Sequence, residues 1–156
     1  MLRFGLVWAA AVVALDQLTK WIVLTEVMVP PRVIEVTGFF NLVLVGNRGV
    51  SFGLFSSEAP WVQPAYAGFA ALITLFLAIW LRRADNRLLA LALGLVIGGA
   101  IGNAIDRLQH GAVVDFLDFH AAGYHWPAFN IADSAITVGV IFVLIEGLFA
   151  GRRQSK

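Results

Sequence analysis

The sequence predicts an all-α membrane protein: four transmembrane helices, with a small β-cradle outside the bilayer between helices 1 and 2. Three observations carry that prediction. The chain of 156 residues is 60% hydrophobic with a mean hydropathy of +0.83, whereas soluble domains are nearer ~45–50% apolar. Four apolar runs, at about 4–24, 66–81, 88–106 and 132–150, are long enough to cross or nearly cross a ~30 Å hydrocarbon core. The stretch at about 30–55 is instead rich in β-branched and aromatic residues, as strands are. One domain, residues 1–156, accommodates all of this. A net charge of +1 gives no reason to expect nucleic acid, and the absence of cysteine excludes thiolate catalysis and cysteine-bound zinc. No internal repeat or low-complexity tract is evident.

The first run follows Arg3 and carries Asp16-Gln17-Leu18-Thr19-Lys20 towards its far end, with Asp16 and Lys20 at i and i+4 on one helix face, suited to an internal ion pair. A secretory signal peptide also begins with one positive charge and a dozen apolar residues. The pattern continues through Trp21-Ile22-Val23-Leu24, however, which favours a span. Pro30-Pro31 stops any helix, and Val33 to Val45 reads as a hairpin with turns at Thr37-Gly38 and Gly46-Asn47-Arg48-Gly49. Gly49-Val50-Ser51-Phe52-Gly53 matches the G-x-S-x-G pattern of serine hydrolases, but that motif needs a large α/β sheet that this chain cannot supply.

Trp61 and Tyr66 mark one end of the second run and Trp80 the other, as interfacial aromatics do. Arg82-Arg83-Ala84-Asp85-Asn86-Arg87 is a tight polar turn. The third run carries Gly94, Gly98 and Gly102 at every fourth position, a smooth stripe for close helix approach. It ends in Asp106-Arg107 and a stop at Gly111. Asn130 is placed to cap the fourth helix, with Asp133 at its third position near the free amides of the first turn. Glu146, deeper in that run, has no functional reading. Seven of the eleven Lys and Arg residues (Arg3, Arg82, Arg83, Arg87, Arg152, Arg153 and Lys156) fall on one side of four spans. Both termini are therefore expected in the cytoplasm and the β segment outside, which in a bacterium is the periplasm.

Asp106, Asp115, Asp118 and Asp133 crowd between the last two apolar runs of a chain with only 13% charged residues. Acids so close to a bilayer are costly and suggest use. Two adjacent aspartates can hydrolyse an amide without a metal, one ionised and one protonated, because repulsion leaves them sharing a single proton. Asp106 precedes Arg107 and is expected to be held by Arg107 or by an amide of a neighbouring helix, and Asp118 reads as a loop residue. Asp115 sits between Val114 and Phe116, an apolar setting that suits a protonated acid, and Asp133 opens a helix. Asp115 and Asp133 are the preferred pair on chemistry, while helix caps and loop charges remain the open alternative.

Five stretches resemble, in order, the motifs of the bacterial lipoprotein signal peptidase family, signal peptidase II. They are Asp16-Gln17-Leu18-Thr19-Lys20, Asn47-Arg48-Gly49-Val50-Ser51-Phe52-Gly53, Gly102-Asn103-Ala104-Ile105-Asp106-Arg107, Val113-Val114-Asp115-Phe116 and Phe129-Asn130-Ile131-Ala132-Asp133-Ser134. The likeness covers nearly the whole chain. It implies catalytic roles for Asp115 and Asp133, and substrate-binding or supporting roles for Asp16, Lys20, Asn47, Gly49, Asn103, Asp106, Arg107, Asn130 and Ala132. The implied activity is aspartyl cleavage of a prolipoprotein signal peptide immediately before a diacylglyceryl-modified cysteine, with no metal or cofactor. The expected setting is the bacterial inner membrane, with the active site on the periplasmic side, membrane lipids as neighbours and a monomeric chain. Two other classes are weighed against it. A proton-coupled transporter could use Asp16, Lys20 and Asp106 as a relay, but the acids cluster on one side and no repeat is seen. A metalloprotease could use His110, His120 or His125, which read as plain polar loop residues, but no H-E-x-x-H pair is present.

Overall fold

The computed structural model describes residues 1–49 and 59–154. Its elements are α1 (Leu2–Ile22), continued by a π-helical turn at Val23–Val27, β1 (Ile34–Thr37), β2 (Phe40–Asn47), α2 (Val62–Arg82), α3 (Arg87–His110), β3 (Val113–Ala121), β4 (Tyr124–His125) and α4 (Ile131–Gln154). All four α-helices carry a stretch long and apolar enough to cross a membrane. The Ser51 motif lies outside the described residues.

α3 is the axis of the bundle, with α1, α2 and α4 each packed on it. Its glycines explain how. A Cβ on Gly98 would stand 2.6 Å from the Ala9 carbonyl oxygen and 2.7 Å from Val12 Cβ, and one on Gly94 would strike the Gly5 backbone. The stripe therefore lets α1 lie against α3 at backbone distance, which is how helices associate where lipid offers no hydrophobic drive. Gly99, on the adjoining face, does the same for the Ala132 backbone at the start of α4. Leu81, Leu89, Ala90, Leu93 and Ile97 fill the core on the side of α2, while Leu72, Leu75, Phe76 and Ile79 of α2 are exposed, as a lipid-facing surface would be.

The cradle is larger than the segment between α1 and α2. β1 and β2 form the expected hairpin through the turn at Gly38–Phe39, but the sheet has four strands in the order β1-β2-β3-β4, all antiparallel. β3 comes from the region between α3 and α4. It begins just after Gly111, whose left-handed backbone (φ 68°) terminates α3 as glycine does at little steric cost. Two readings of that region change. Asp118 is not in a loop but in β3, buried opposite Asn41 of β2. The histidines are not loop residues either: His110 ends α3, and His120 and His125 pair across β3 and β4.

Candidate active site

Three elements meet where the bundle joins the sheet. The last turns of α3 supply Asn103, Asp106 and Arg107, β3 supplies Asp115, and the start of α4 supplies Asn130, Ala132 and Asp133. Asn130 caps α4 as its sequence suggests: Asp133 N donates to Asn130 Oδ1 at 2.9 Å, and Asn130 N donates back to Asp133 Oδ2 at 3.3 Å. This reciprocal capping box turns the Asp133 carboxylate back towards the helix start. The Asn130 side chain then reaches the strand. Its Nδ2 donates to Asp115 Oδ1 at 2.7 Å and lies 3.3 Å from the Val114 carbonyl oxygen. One residue thus binds both aspartates of the preferred pair, one through its backbone and the other through its amide.

Two further amides complete the frame. Asn47, at the end of β2, donates to Asp115 Oδ2 at 3.1 Å, and its own Oδ1 accepts from Gly49 N at 3.0 Å. Asn103 donates to Asp133 Oδ1 at 2.7 Å, and its Oδ1 accepts from Asn130 Nδ2 and from Lys20 Nζ, each at 3.2 Å. Asp115 is 1% exposed, whereas Asp133 is half-buried. Burial above all, and then the charge of Asp133, pushes the Asp115 carboxyl up to about 7, against the hydrogen bonds from Asn47 and Asn130 and the charge of Lys20.

Behind this frame lies a buried ion network. Lys20 Nζ stands 2.8 Å from Asp16 Oδ2 and 2.7 Å from Asp106 Oδ2, with all three side chains at most 3% exposed. The i,i+4 pair of Asp16 and Lys20 is as expected; of the two partners expected for Asp106, Arg107 is not met, and the neighbouring-helix amide is, by Gln17 of α1. Neighbours in sequence on a helix point in different directions. Asp106 instead accepts from Lys20, from Gln17 Nε2 at 2.9 Å and from Val114 N at 3.0 Å, tying α1 and β3 to the end of α3. Asp16 Oδ1 accepts from Ala132 N at 2.9 Å, placing a carboxylate at the N-terminus of α4, where the helix favours negative charge. Gly102 permits this, since a Cβ there would stand 2.5 Å from Asp16 Oδ2.

Arg107 turns away from the ion network. Its Nη2 donates to the Gly49 carbonyl oxygen at 3.1 Å and its Nη1 to that of Asn103 at 3.3 Å, with the guanidinium 5.7 Å from the Tyr66 ring centroid. Asn47, Asn103, Arg107 and Asp133 line a cavity of about 710 Å³, whose other walls are Phe69, Ile73 and Ala100, Ile136 and Val138, and the segment Trp126–Phe129. The cavity is therefore polar at Asp133 and apolar between α2 and α4. Every site residue named from the sequence lies in or next to this constellation. The sequence reading missed Gln17, which the Asp16–Lys20 motif encloses, and Gln63, whose Nε2 donates to the Arg48 carbonyl oxygen at 2.7 Å. An amide buried in the first turn of an apolar helix was the available signal for Gln63. Among the described residues, no three His, Asp or Glu side chains converge as a metal-ligand set.

Comparison with known proteins adds an independent line. The family profile described as Signal peptidase (SPase) II matches residues 8–149. The lipoprotein signal peptidase of Azoarcus sp. (strain BH72) is 53% identical over 152 residues, covering 97% of this chain and 86% of that protein. That of Rhodopseudomonas palustris (strain TIE-1) is 48% identical over 151 residues, covering 94% and 92%. A solved structure described as a bacterial membrane enzyme superposes with a TM-score of 0.82 at 34% identity, covering 97% of this chain and 91% of that one.

Proposed function

The chain belongs to the signal peptidase II family, the lipoprotein signal peptidases, and from that premise we propose an aspartyl cleavage of lipid-modified prolipoproteins at Asp115 and Asp133. The enzyme is a membrane-embedded, multi-pass protease acting on prolipoprotein substrates. The observation that supports the aspartyl reading is the double hold of Asn130, with its amide on Asp115 and its backbone N–H on Asp133 at the wall of the cavity. The elevated Asp115 carboxyl carries the shared proton, and Asp133, reached from the cavity, is the base. Asp133 takes a proton from water as the oxygen attacks the scissile carbonyl carbon, while Asp115 protonates the carbonyl oxygen. In the resulting hydrate, Asp133 returns its proton to the leaving nitrogen and Asp115 recovers one from a hydroxyl as the C–N bond breaks. Both aspartates end as they began.

In this proposal the cut falls immediately before the diacylglyceryl-modified cysteine, and an apolar channel between α2 and α4, suited to acyl chains and a signal helix and adjoining the polar end of the cavity, supports that reading. Asn47, Asn103 and Asn130 orient the aspartates, Asp16, Lys20, Asp106 and Ala132 fix the helices that carry them, and Arg107 holds the Asn47–Gly49 turn through the Gly49 carbonyl. Purified protein is expected to cleave a lipid-modified precursor and to leave the same precursor without lipid intact. Equal cleavage of both would remove the lipid from the recognition element.

The pair shares one proton, so its activity needs Asp115 protonated. Raising the pH through about 7 ionises Asp115, and cleavage is expected to fall on that alkaline side as the second negative charge appears. A pH–rate profile that stays flat above that value would take the proton away from Asp115. Orientation follows the basic residues: both termini in the cytoplasm and the aspartates at the periplasmic face of the inner membrane. A reporter fused after Lys156 is expected to behave as cytoplasmic and one inserted near Glu58 as periplasmic. Finding both on the same side would refute this orientation.

A further inference from the structure

Asp118 is a second buried carboxylate on the strand that carries Asp115, and the reaction does not use it. It is 6% exposed, and a buried charge is retained only when paired or hydrogen-bonded. Its partners are specific. His125 Nδ1 lies 2.9 Å from both Asp118 oxygens, and Asn41 Nδ2 donates to Oδ2 at 3.1 Å from the facing strand. Burial raises the Asp118 carboxyl, but the hydrogen bonds from His125 and Asn41 outweigh it and hold the group below its ordinary value. Asp118 is therefore a charged anchor in β3, and His125 is the group it anchors. His125 itself is 54% exposed and stacks on His120 at 4.8 Å between ring centroids, so among the described residues its side chain is held by Asp118 and that stacking.

The chain just beyond His125 gives the contact its consequence. Trp126 N donates to the Phe119 carbonyl oxygen at 2.8 Å, and three residues later Phe129 N donates to the Leu117 carbonyl oxygen at 3.0 Å. Between those two points Trp126, Pro127, Ala128 and Phe129 all line the cavity, and Asn130 then reaches Asp115. This return segment is one wall of the substrate groove. Phe129 and Asn130 help fix its far end, and the Trp126 amide and the His125–Asp118 contact help fix its near end.

We infer that Asp118 and His125 are positioning residues: a clasp that holds segment Trp126–Phe129 against the groove and so sets how tightly the lipid-modified substrate is bound, apart from the chemistry at the aspartates. The inference rests on the proposed function for its substrate. Cleavage of a diacylglyceryl-modified precursor by purified His125→Ala and His125→Asn tests it, with amide hydrogen exchange across residues 124–129 as a readout independent of activity. His125→Ala is expected to raise KM roughly 3- to 10-fold, the scale of one lost hydrogen bond, with kcat within about twofold and faster exchange at the Trp126 amide. His125→Asn, whose Nδ2 can stand where Nδ1 stood, is expected to restore both. The clasp is overturned if His125→Ala matches the wild type, if Asn is as impaired as Ala, or if kcat falls while KM is unchanged. A wild-type protein that leaves the lipidated precursor intact would defeat the proposed function. Exchange then decides the clasp: acceleration in Ala but not Asn supports it, and unchanged exchange overturns it.

Discussion

Asp115→Asn and Asp133→Asn are each expected to lower turnover of a diacylglyceryl-modified precursor roughly a thousandfold or more, with expression and membrane insertion near normal. The geometry explains why shape survives. An asparagine at 115 still offers an oxygen to Asn130 Nδ2, which bonds Asp115 Oδ1 at 2.7 Å; its new amide nitrogen meets the Asn47 donor now at 3.1 Å from Oδ2. One donor facing another costs about one hydrogen bond, ~1 kcal/mol, too little to unfold a bundle. An asparagine at 133 keeps an acceptor for Asn103 or for the Asn130 backbone. Neither amide can take a proton from water or give one to a carbonyl oxygen. Because the proposed mechanism makes the two aspartates one proton-sharing unit, the double variant is expected to lose little beyond either single one. Substantial activity in either purified variant, or losses that simply multiply, would break the pair.

Much of this site was legible because its residues are chemically unusual for their surroundings. An acid in an apolar run stands out whatever the fold, and Asp16, Asp106, Asp115 and Asp133 are all buried or half-buried where α1, α3, β3 and α4 converge. The glycine stripe on α3 likewise announced a close helix contact, and Gly5, Ala9 and Asp16 of α1 occupy it. Pairing between distant segments was not legible. β3 lies opposite β2 with Asn41 facing Asp118 and Asn47 facing Val113, a register that depends on where two helices deliver their ends. The same limit hid the ion partner of Asp106. Arg107 adjoins it in sequence but leaves the helix at another angle, and Lys20 becomes its partner only once α1 is laid along α3. Asp118 was mistaken for a loop residue because Val113–Ala121 is apolar at both parities, where a half-exposed strand would alternate.

Lys20→Met is expected to be the most destabilising of the conservative changes near the site, by on the order of 3–5 kcal/mol. Lys20 is 3% exposed and is the cation shared by Asp16 and Asp106, themselves 0% and 1% exposed. Methionine fills much the same volume but leaves two carboxylates facing each other across an apolar chain, with Asn103 Oδ1 losing its second donor. Backbone amides remain to each carboxylate, Ala132 N to Asp16 and Val114 N to Asp106, so neither is stripped bare. Those amides are also what the change endangers. Asp16 holds the first turn of α4, one residue before Asp133, and Asp106 holds the start of β3, one residue before Asp115. Loosening either carboxylate therefore moves a side chain of the proposed catalytic pair, and cleavage is expected to fall together with thermal stability in detergent. Removing the charges together is expected to cost less than removing the cation alone, because the Asp16→Asn, Lys20→Met, Asp106→Asn triple variant leaves no uncompensated ion. Thermal unfolding of the single and triple variants measures the difference. A Lys20→Met protein as stable as the wild type, or a triple variant worse than the single, would mean that the network does not depend on its shared cation.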